Sequence, residues 1–84
     1  MKITEVRLKK REGDGRFLAS GSITLEGEFV ISGIKVMRSK EGNLFVAYPS
    51  WQNSDGQYKD VCFPMKQTLR EDITVAVLAK YEEL

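Results

Sequence analysis

Glycine-containing turn signals recur at fairly even spacing through the first three quarters of the chain, and they restrict what it can fold into. They are Gly13-Asp14-Gly15, Glu26-Gly27-Glu28, Glu41-Gly42-Asn43 and Asp55-Gly56. Glycine readily adopts the positive φ that hairpin turns require. The segments between these signals are rich in β-branched and aromatic residues and have lengths typical of strands. The pattern predicts an antiparallel meander of about five strands.

Alternation of apolar and polar residues assigns a buried and an exposed face to the early strands. In the first strand, Ile3 to Arg11, Val6 and Leu8 share the face expected to be buried. The opposite face carries Glu5, Arg7, Lys9 and Arg11. In the second strand the residues expected to face inward are Phe17, Ala19, Ile23 and Leu25.

The third strand changes phase part-way along. Phe29 and Ile31 share one parity, whereas Ile34 and Val36 share the other, and Gly33 lies at the change. A β-bulge at Gly33 would bring both pairs to one face.

Prolines end the two remaining predicted strands. The fourth strand, Leu44 to Tyr48, stops at Pro49, and the fifth, Gln57 to Phe63, stops at Pro64. Proline lacks the N–H that a strand ladder needs, so both boundaries are expected there.

The C-terminal segment changes from a period of two to a helical period of about 3.6. One apolar stripe comprises Leu69, Ile73, Ala76, Val77 and Leu84. Thr68 and Glu71 match a capping box, which predicts a helix that begins at Leu69. Val75, Leu78 and Ala79 lie off this stripe and predict a second buried surface, against another subunit.

Length and composition favour one domain, residues 1–84, that is stabilised by self-association. Cys62 is the only cysteine and histidine is absent, so neither an intrachain disulfide nor an ordinary zinc site can form. A second subunit remains as the source of extra stability, and a homodimer without metal or other cofactor is expected.

Catalysis and membrane insertion are both disfavoured. Without histidine, acid and base roles would fall to carboxylates and lysines, and no nucleophile and base can be grouped from the sequence. Cys62 alternates with Val61 and Phe63, which is typical of a small core residue. No apolar run approaches the roughly 20 residues of a membrane span, and no signal peptide is visible. A cytoplasmic protein that is no enzyme is expected.

Two groups of cationic residues are candidates for anion binding. The first-strand group is Arg7, Lys9, Lys10 and Arg11, with Arg16 across the first hairpin. It is typical either of a phosphate-contact surface or of a solvated edge strand. Lys66 and Arg70 flank the predicted helix start, where an anion is favoured, although surface side chains are also common there. The net charge of +1 does not by itself indicate a polyanionic partner.

Aromatic residues near the fourth turn have two interpretations. Trp51 and Tyr58 would suit stacking on unpaired bases, as in single-strand binders. Core or dimer contacts are an equally good interpretation of both.

The chain resembles the SpoVG family of septation and sporulation proteins over almost its whole length. The segments that carry the resemblance are ITEVRLKK (Ile3 to Lys10), GSITLEGEFVISGIKV (Gly21 to Val36), LFVAYPS (Leu44 to Ser50), DGQYKDVCFP (Asp55 to Pro64) and TLREDITVAVLAKYEEL (Thr68 to Leu84). The resemblance implies an α+β fold, with a meander sheet followed by a C-terminal helix, and a homodimer. It further implies a regulator of gene expression, septation, sporulation or cell division that binds DNA, RNA or both.

In the family, nucleic-acid binding is associated with the start of the helix, which here points to Lys66, Gln67, Thr68 and Arg70. The alternative is a protein-interaction module that regulates division or cell-wall processes through a protein partner. Three departures bear on the choice. Trp51-Gln52 stands where the family usually has basic residues, and Phe63 stands where histidine is common. The extended tail that many relatives carry is not expected after Leu84. Fewer positive charges lower the affinity for a polyanion, which favours the alternative.

Overall fold

The computed structural model describes residues 1–13 and 15–84, so Asp14 of the first predicted turn lies outside the described residues. The elements are β1 Ile3–Lys10, β2 Phe17–Leu25, β3 Phe29–Arg38, β4 Leu44–Ala47, β5 Ser50–Gln52, β6 Tyr58–Asp60 and α1 Gln67–Glu82. Strands β1 to β4 pair antiparallel in chain order, and β5 pairs with β6 in a separate ribbon. The predicted α+β class and C-terminal helix are confirmed. The main sheet has four strands, however, where about five were expected.

The end of the meander differs from the prediction because Pro49 interrupts it. β4 ends at Ala47, before Tyr48, and the chain then leaves the main sheet. The predicted fifth strand is shortened to Tyr58–Asp60 and pairs with β5. Asn53 closes this ribbon, since its side-chain oxygen accepts hydrogen bonds from the backbone N–H groups of Asp55 and Gln57, at 2.9 and 3.0 Å.

The core lies between one face of the main sheet and α1. Its buried members are Ala19, Ile23, Leu25, Ile34, Val36, Tyr48, Ile73 and Val77. Val6 and Leu8 are partly buried against them, as the alternation of β1 predicted. We call the other side of the sheet the open face, and its residues include Arg7, Lys9, Phe17, Ser20, Ser22, Lys35 and Phe45.

Phe17 does not face the core as predicted. It pairs with Met37, whereas Ala19 pairs with Val36, so the register shifts by one residue around Leu18. Neighbouring residues of a strand point to opposite faces. Met37, next to the buried Val36, therefore lies on the open face together with Phe17, and Leu18 packs against the core instead.

The predicted bulge at Gly33 is present. Gly21 pairs with Ile34 and Ser22 pairs with Ser32, which leaves Gly33 without a cross-strand partner. Its φ is +85°, a value that disfavours any residue with a Cβ atom. The bulge restores the phase of β3, so that Ile34 is fully buried on the same side as Ile31.

The helix begins earlier than the capping box predicted. α1 starts at Gln67, and its N-cap Lys66 makes no side-chain capping hydrogen bond. Thr68 then lies within the first turn instead of before it, and Glu71 accepts a hydrogen bond from Gln67 Nε2 at 3.3 Å. Leu84, predicted to lie on the apolar stripe, follows the helix and is 45% exposed.

Candidate functional site

Positive charge is concentrated at one end of the main sheet, where β1 ends and β2 begins. Two backbone hydrogen bonds hold the segments of this region together. Arg11 N–H donates to the Leu18 carbonyl at 2.9 Å, and Arg38 N–H donates to the Arg16 carbonyl at 2.8 Å. The acidic Glu26 and Glu28 lie around the β2–β3 turn, at the opposite end of the sheet. We call the cationic region the basic end, comprising Lys9, Lys10, Arg11, Arg16 and Arg38.

The predicted first-strand group divides between the two faces of the sheet. Lys10 pairs with the buried Ala19 and therefore lies on the helix side. Lys9 pairs with Ser20 and Arg7 with Ser22, so both lie on the open face. Because exposed ion pairs contribute little, the 3.2 Å contact between Arg7 Nε and Glu5 Oε2 leaves Arg7 available to an anion.

Arg11 and Lys35 both lie close to the aromatic ring of Phe17 on the open face. The guanidinium carbon of Arg11 lies 4.2 Å from the centroid of the Phe17 ring. The ammonium nitrogen of Lys35 lies 5.8 Å from the same centroid. Cations at these distances over an aromatic face are attracted by its quadrupole. Two positive groups are thus held beside one half-buried aromatic side chain.

The predicted helix-start group contains one residue that is structurally engaged. Lys66, Gln67 and Thr68 are exposed. Arg70 is half-buried: its guanidinium carbon lies 5.3 Å from the centroid of the Tyr48 ring, and Nη2 lies 3.4 Å from the Pro64 carbonyl oxygen. Arg70 therefore ties the segment before the helix to the end of β4.

One subunit does not bring the helix start and the first-strand group together. Lys66 and Thr68 share a surface cavity with Met1, at the beginning of β1. An extended chain rises about 3.3 Å per residue, which places Arg7 roughly 20 Å from Met1 and Arg11 farther still. The chain thus presents two separate cationic surfaces.

Trp51 and Tyr58 cannot form one stacking surface within the β5–β6 ribbon. Trp51 pairs with Lys59, whereas Gln52 pairs with Tyr58. Cross-strand partners share a face and adjacent residues do not, so the two aromatic side chains project from opposite faces. Both are exposed, at 50% for Trp51 and 72% for Tyr58.

An apolar groove of about 250 Å³ lies between α1 and the end of the sheet opposite the basic end. Its lining includes Leu25, Phe29, Cys62, Phe63, Leu69 and Ile73. Phe29 and Phe63 remain 63% and 56% exposed. Cys62 is half-buried in this lining and follows β6, so it is not the core strand residue that the alternation predicted.

The predicted dimer residues differ in exposure. Val75 is 70% exposed and Ala79 is also exposed, so both are accessible to another molecule. Leu78 packs against the core of its own subunit.

Tyr48 contributes a buried hydroxyl to this part of the molecule. Its oxygen has no hydrogen-bond partner among the described residues. Burial raises the pKa of Tyr48 above the ordinary value of 10.0, an effect that Arg70 opposes and Asp60 reinforces. The hydroxyl therefore stays protonated at neutral pH.

Residues 1–13 and 15–84 contain no cluster of three or more side chains suited to hold a metal ion. In the same part of the chain, no helix has the length and apolar character needed to cross a bilayer.

Comparison with known proteins decides the family. The SpoVG family model matches residues 1–83. The chain belongs to the SpoVG family. The septation protein SpoVG 1 of Listeria monocytogenes is 50% identical over 82 residues, which cover 98% of this chain and 79% of the relative. The SpoVG septation protein of Clostridium acetobutylicum is 42% identical over 84 residues, 100% of this chain and 87% of the relative. The SpoVG septation protein of Staphylococcus aureus is 43% identical over 84 residues, which cover 100% of this chain and 83% of the relative.

Sequence reasoning on this SpoVG-family chain missed Phe17 and Lys35 as members of a surface group. Lys35 follows directly after Ile34, so the bulge at Gly33 already implied that it faces away from the core. The shift at Leu18, which turns Phe17 outward, left no comparable signal, because Phe17 and Leu18 are both apolar.

Proposed function

We propose that this SpoVG-family chain is a cytoplasmic nucleic-acid-binding regulator that acts in septation or sporulation by modulating gene expression, without catalysing a reaction. The names of its relatives, which are septation proteins, support a role in septation. The observation that carries the binding proposal is the basic end, which concentrates positive charge in a chain whose net charge is only +1. Lysine and arginine bind DNA or RNA by contacting phosphates and releasing counterions.

Dimerisation is part of this proposal, since one subunit offers few phosphate contacts. Val75 and Ala79 leave apolar surface on the outer side of α1 for a second copy. Two linked binding surfaces raise the overall affinity well above that of either alone. A dimer would therefore make a sparse cationic surface effective.

A gel-shift series on duplex and single-stranded probes at low and moderate salt, with the mass in solution measured alongside, tests the proposal. We expect binding that weakens with salt and with Lys9→Gln plus Arg11→Gln. Lys2→Gln is the matched control, because Lys2 is an exposed cation at the opposite end of β1. Absence of a shift with every probe at low salt would refute nucleic-acid binding.

The apolar groove favours a second candidate, a protein-interaction module. Phe29, Phe63 and the 93% exposed Met65 add apolar surface around the groove. Exposed apolar patches often mark protein-binding sites. A complex formed in this way would survive nuclease and moderate salt and would be abolished by Phe63→Ser, whereas a phosphate-mediated complex would show the opposite behaviour.

A further inference from the structure

The open face combines three chemical groups that an unpaired nucleotide chain can use. Cross-strand pairing aligns Lys9, Ser20 and Lys35 in one row, and Arg7, Ser22 and Ser32 in the next. None of these side chains is buried. Cations and hydroxyls in such rows suit phosphate and sugar oxygens, which most protein–nucleic acid hydrogen bonds contact.

Phe17 adds an aromatic ring at the edge of these rows. Its position beside Arg11 and Lys35, at 4.2 and 5.8 Å, places positive charge and a flat apolar surface together. Unpaired bases stack on aromatic rings and on arginine guanidinium planes. The Arg11–Phe17–Lys35 group offers both.

A second aromatic side chain lies on the same face. Phe17 pairs with Met37, and Met37 pairs with Phe45, which is 41% exposed. Neighbouring strands are about 4.8 Å apart, so the two phenylalanine backbones are separated by roughly 10 Å. A strand of nucleic acid that crosses the sheet would meet Phe17 and Phe45 in succession.

A duplex cannot use these rings. Its bases are stacked inside the helix, and only its phosphates would reach the cations of the open face. The aromatic side chains therefore distinguish unpaired from paired nucleic acid, whereas the cations alone do not.

We propose that the open face binds single-stranded nucleic acid, with an unpaired base stacked on the Arg11–Phe17–Lys35 group and with Arg7 and Lys9 contacting phosphates. This inference rests on the proposed function and adds to it the kind of nucleic acid and the surface used.

The test measures fluorescence anisotropy with labelled single-stranded RNA, single-stranded DNA and duplex DNA of one sequence of about 12 nucleotides. Phe17→Leu removes the ring and should weaken single-strand binding roughly 5- to 150-fold, while duplex binding stays unchanged. Phe17→Tyr keeps a ring and should retain affinity. Phe29→Leu is the matched control, because Phe29 is an exposed phenylalanine at the other end of the sheet.

The outcomes separate this inference from the proposed function. If the wild-type protein binds nucleic acid but Phe17→Leu is unchanged, or if only the duplex is bound, the inference is overturned and the proposed function stands. If no probe is bound, both are overturned. Comparison of the single-stranded RNA and DNA probes shows which sugar is preferred. Stacking on Phe17 is expected with each single-stranded probe that binds.

A second measurement uses the wild-type protein, so its result does not depend on whether Phe17→Leu folds. A bromouridine-substituted single strand is photocrosslinked, and the attachment site is mapped by mass spectrometry. We expect attachment to the open face, in peptides containing Phe17 or Phe45. Attachment confined to the helix start around Lys66 would overturn the inference.

Discussion

Gly21 allows β1 and β2 to approach more closely than any side chain would permit. A Cβ atom at this position would lie 2.9 Å from Leu8 Cα and closer still to the Arg7 carbonyl. Carbon atoms normally pack about 3.5–4.0 Å apart. Gly21→Ala therefore forces two backbones apart within the β1–β2 ladder, which also holds Val6 and Leu8 against the core.

The expected cost follows from this geometry. Overpacked side chains usually cost about 1–3 kcal/mol. We place Gly21→Ala at about 3 kcal/mol, because the clash is with paired backbone that cannot rotate away. A chain of 84 residues has a total stability of roughly 4–13 kcal/mol, so the destabilisation is large. The melting temperature should fall by roughly 12–24 °C.

Urea unfolding followed by circular dichroism measures this cost. Gly15→Ala is the matched control, because the nearest atom to a Cβ atom there is Phe17 N at 4.0 Å and its φ is not in the left-handed region. The control should stay within about 0.5 kcal/mol of the wild type or gain slightly. A Gly21→Ala protein as stable as this control would refute the close approach of β1 and β2.

Three further substitutions test other parts of the structure. Tyr48→Phe removes a buried hydroxyl without a described partner, and urea unfolding at neutral pH should show equal or higher stability, by up to about 1 kcal/mol. Because the folded-state pKa of Tyr48 is raised, the unfolded chain ionises first. The part of the wild-type stability that is linked to Tyr48 ionisation is thus fully present below pH 10.0 and is lost as the pH rises through the folded pKa, so the fall at high pH should be shallower in Tyr48→Phe. Arg70→Ala should lower the melting temperature because its side chain then no longer packs on Tyr48 or donates to Pro64, whereas Lys66→Ala, at an exposed position, should not. Val75→Glu should reduce the mass in solution from dimer to monomer if α1 forms the interface, and an unchanged mass would exclude Val75 from it.

The sequence predicted those features of the fold that local patterns determine. Alternation identified Val6 and Leu8 as inward-facing, and the phase change in β3 located the bulge at Gly33. The C-terminal helix followed from the apolar spacing, and Ile73 and Val77 are indeed buried in it. The alternation, the bulge and the helix depend on residues close together in sequence, so they can be predicted without the tertiary structure.

The errors lie where tertiary contacts override local signals. Thr68 and Glu71 have the right spacing for a capping box, but the helix starts before them. Phe17 has the parity of a core residue until the register shift at Leu18 turns it outward. Arg70 resembles a free cation in the sequence, and only the fold places it against Tyr48. The distance between the helix start and the first-strand group likewise depends on how α1 lies on the sheet.

The salt dependence of binding tests most directly whether the first-strand cations contact phosphates. Each phosphate of a single strand that the protein neutralises adds about 0.7 to the steepness of log affinity plotted against log salt. We predict that Arg7→Gln plus Lys9→Gln makes this slope shallower by roughly 1.4 per subunit engaged, while Lys2→Gln leaves it unchanged. A wild-type slope near zero, or one that the double substitution does not alter, would contradict the account.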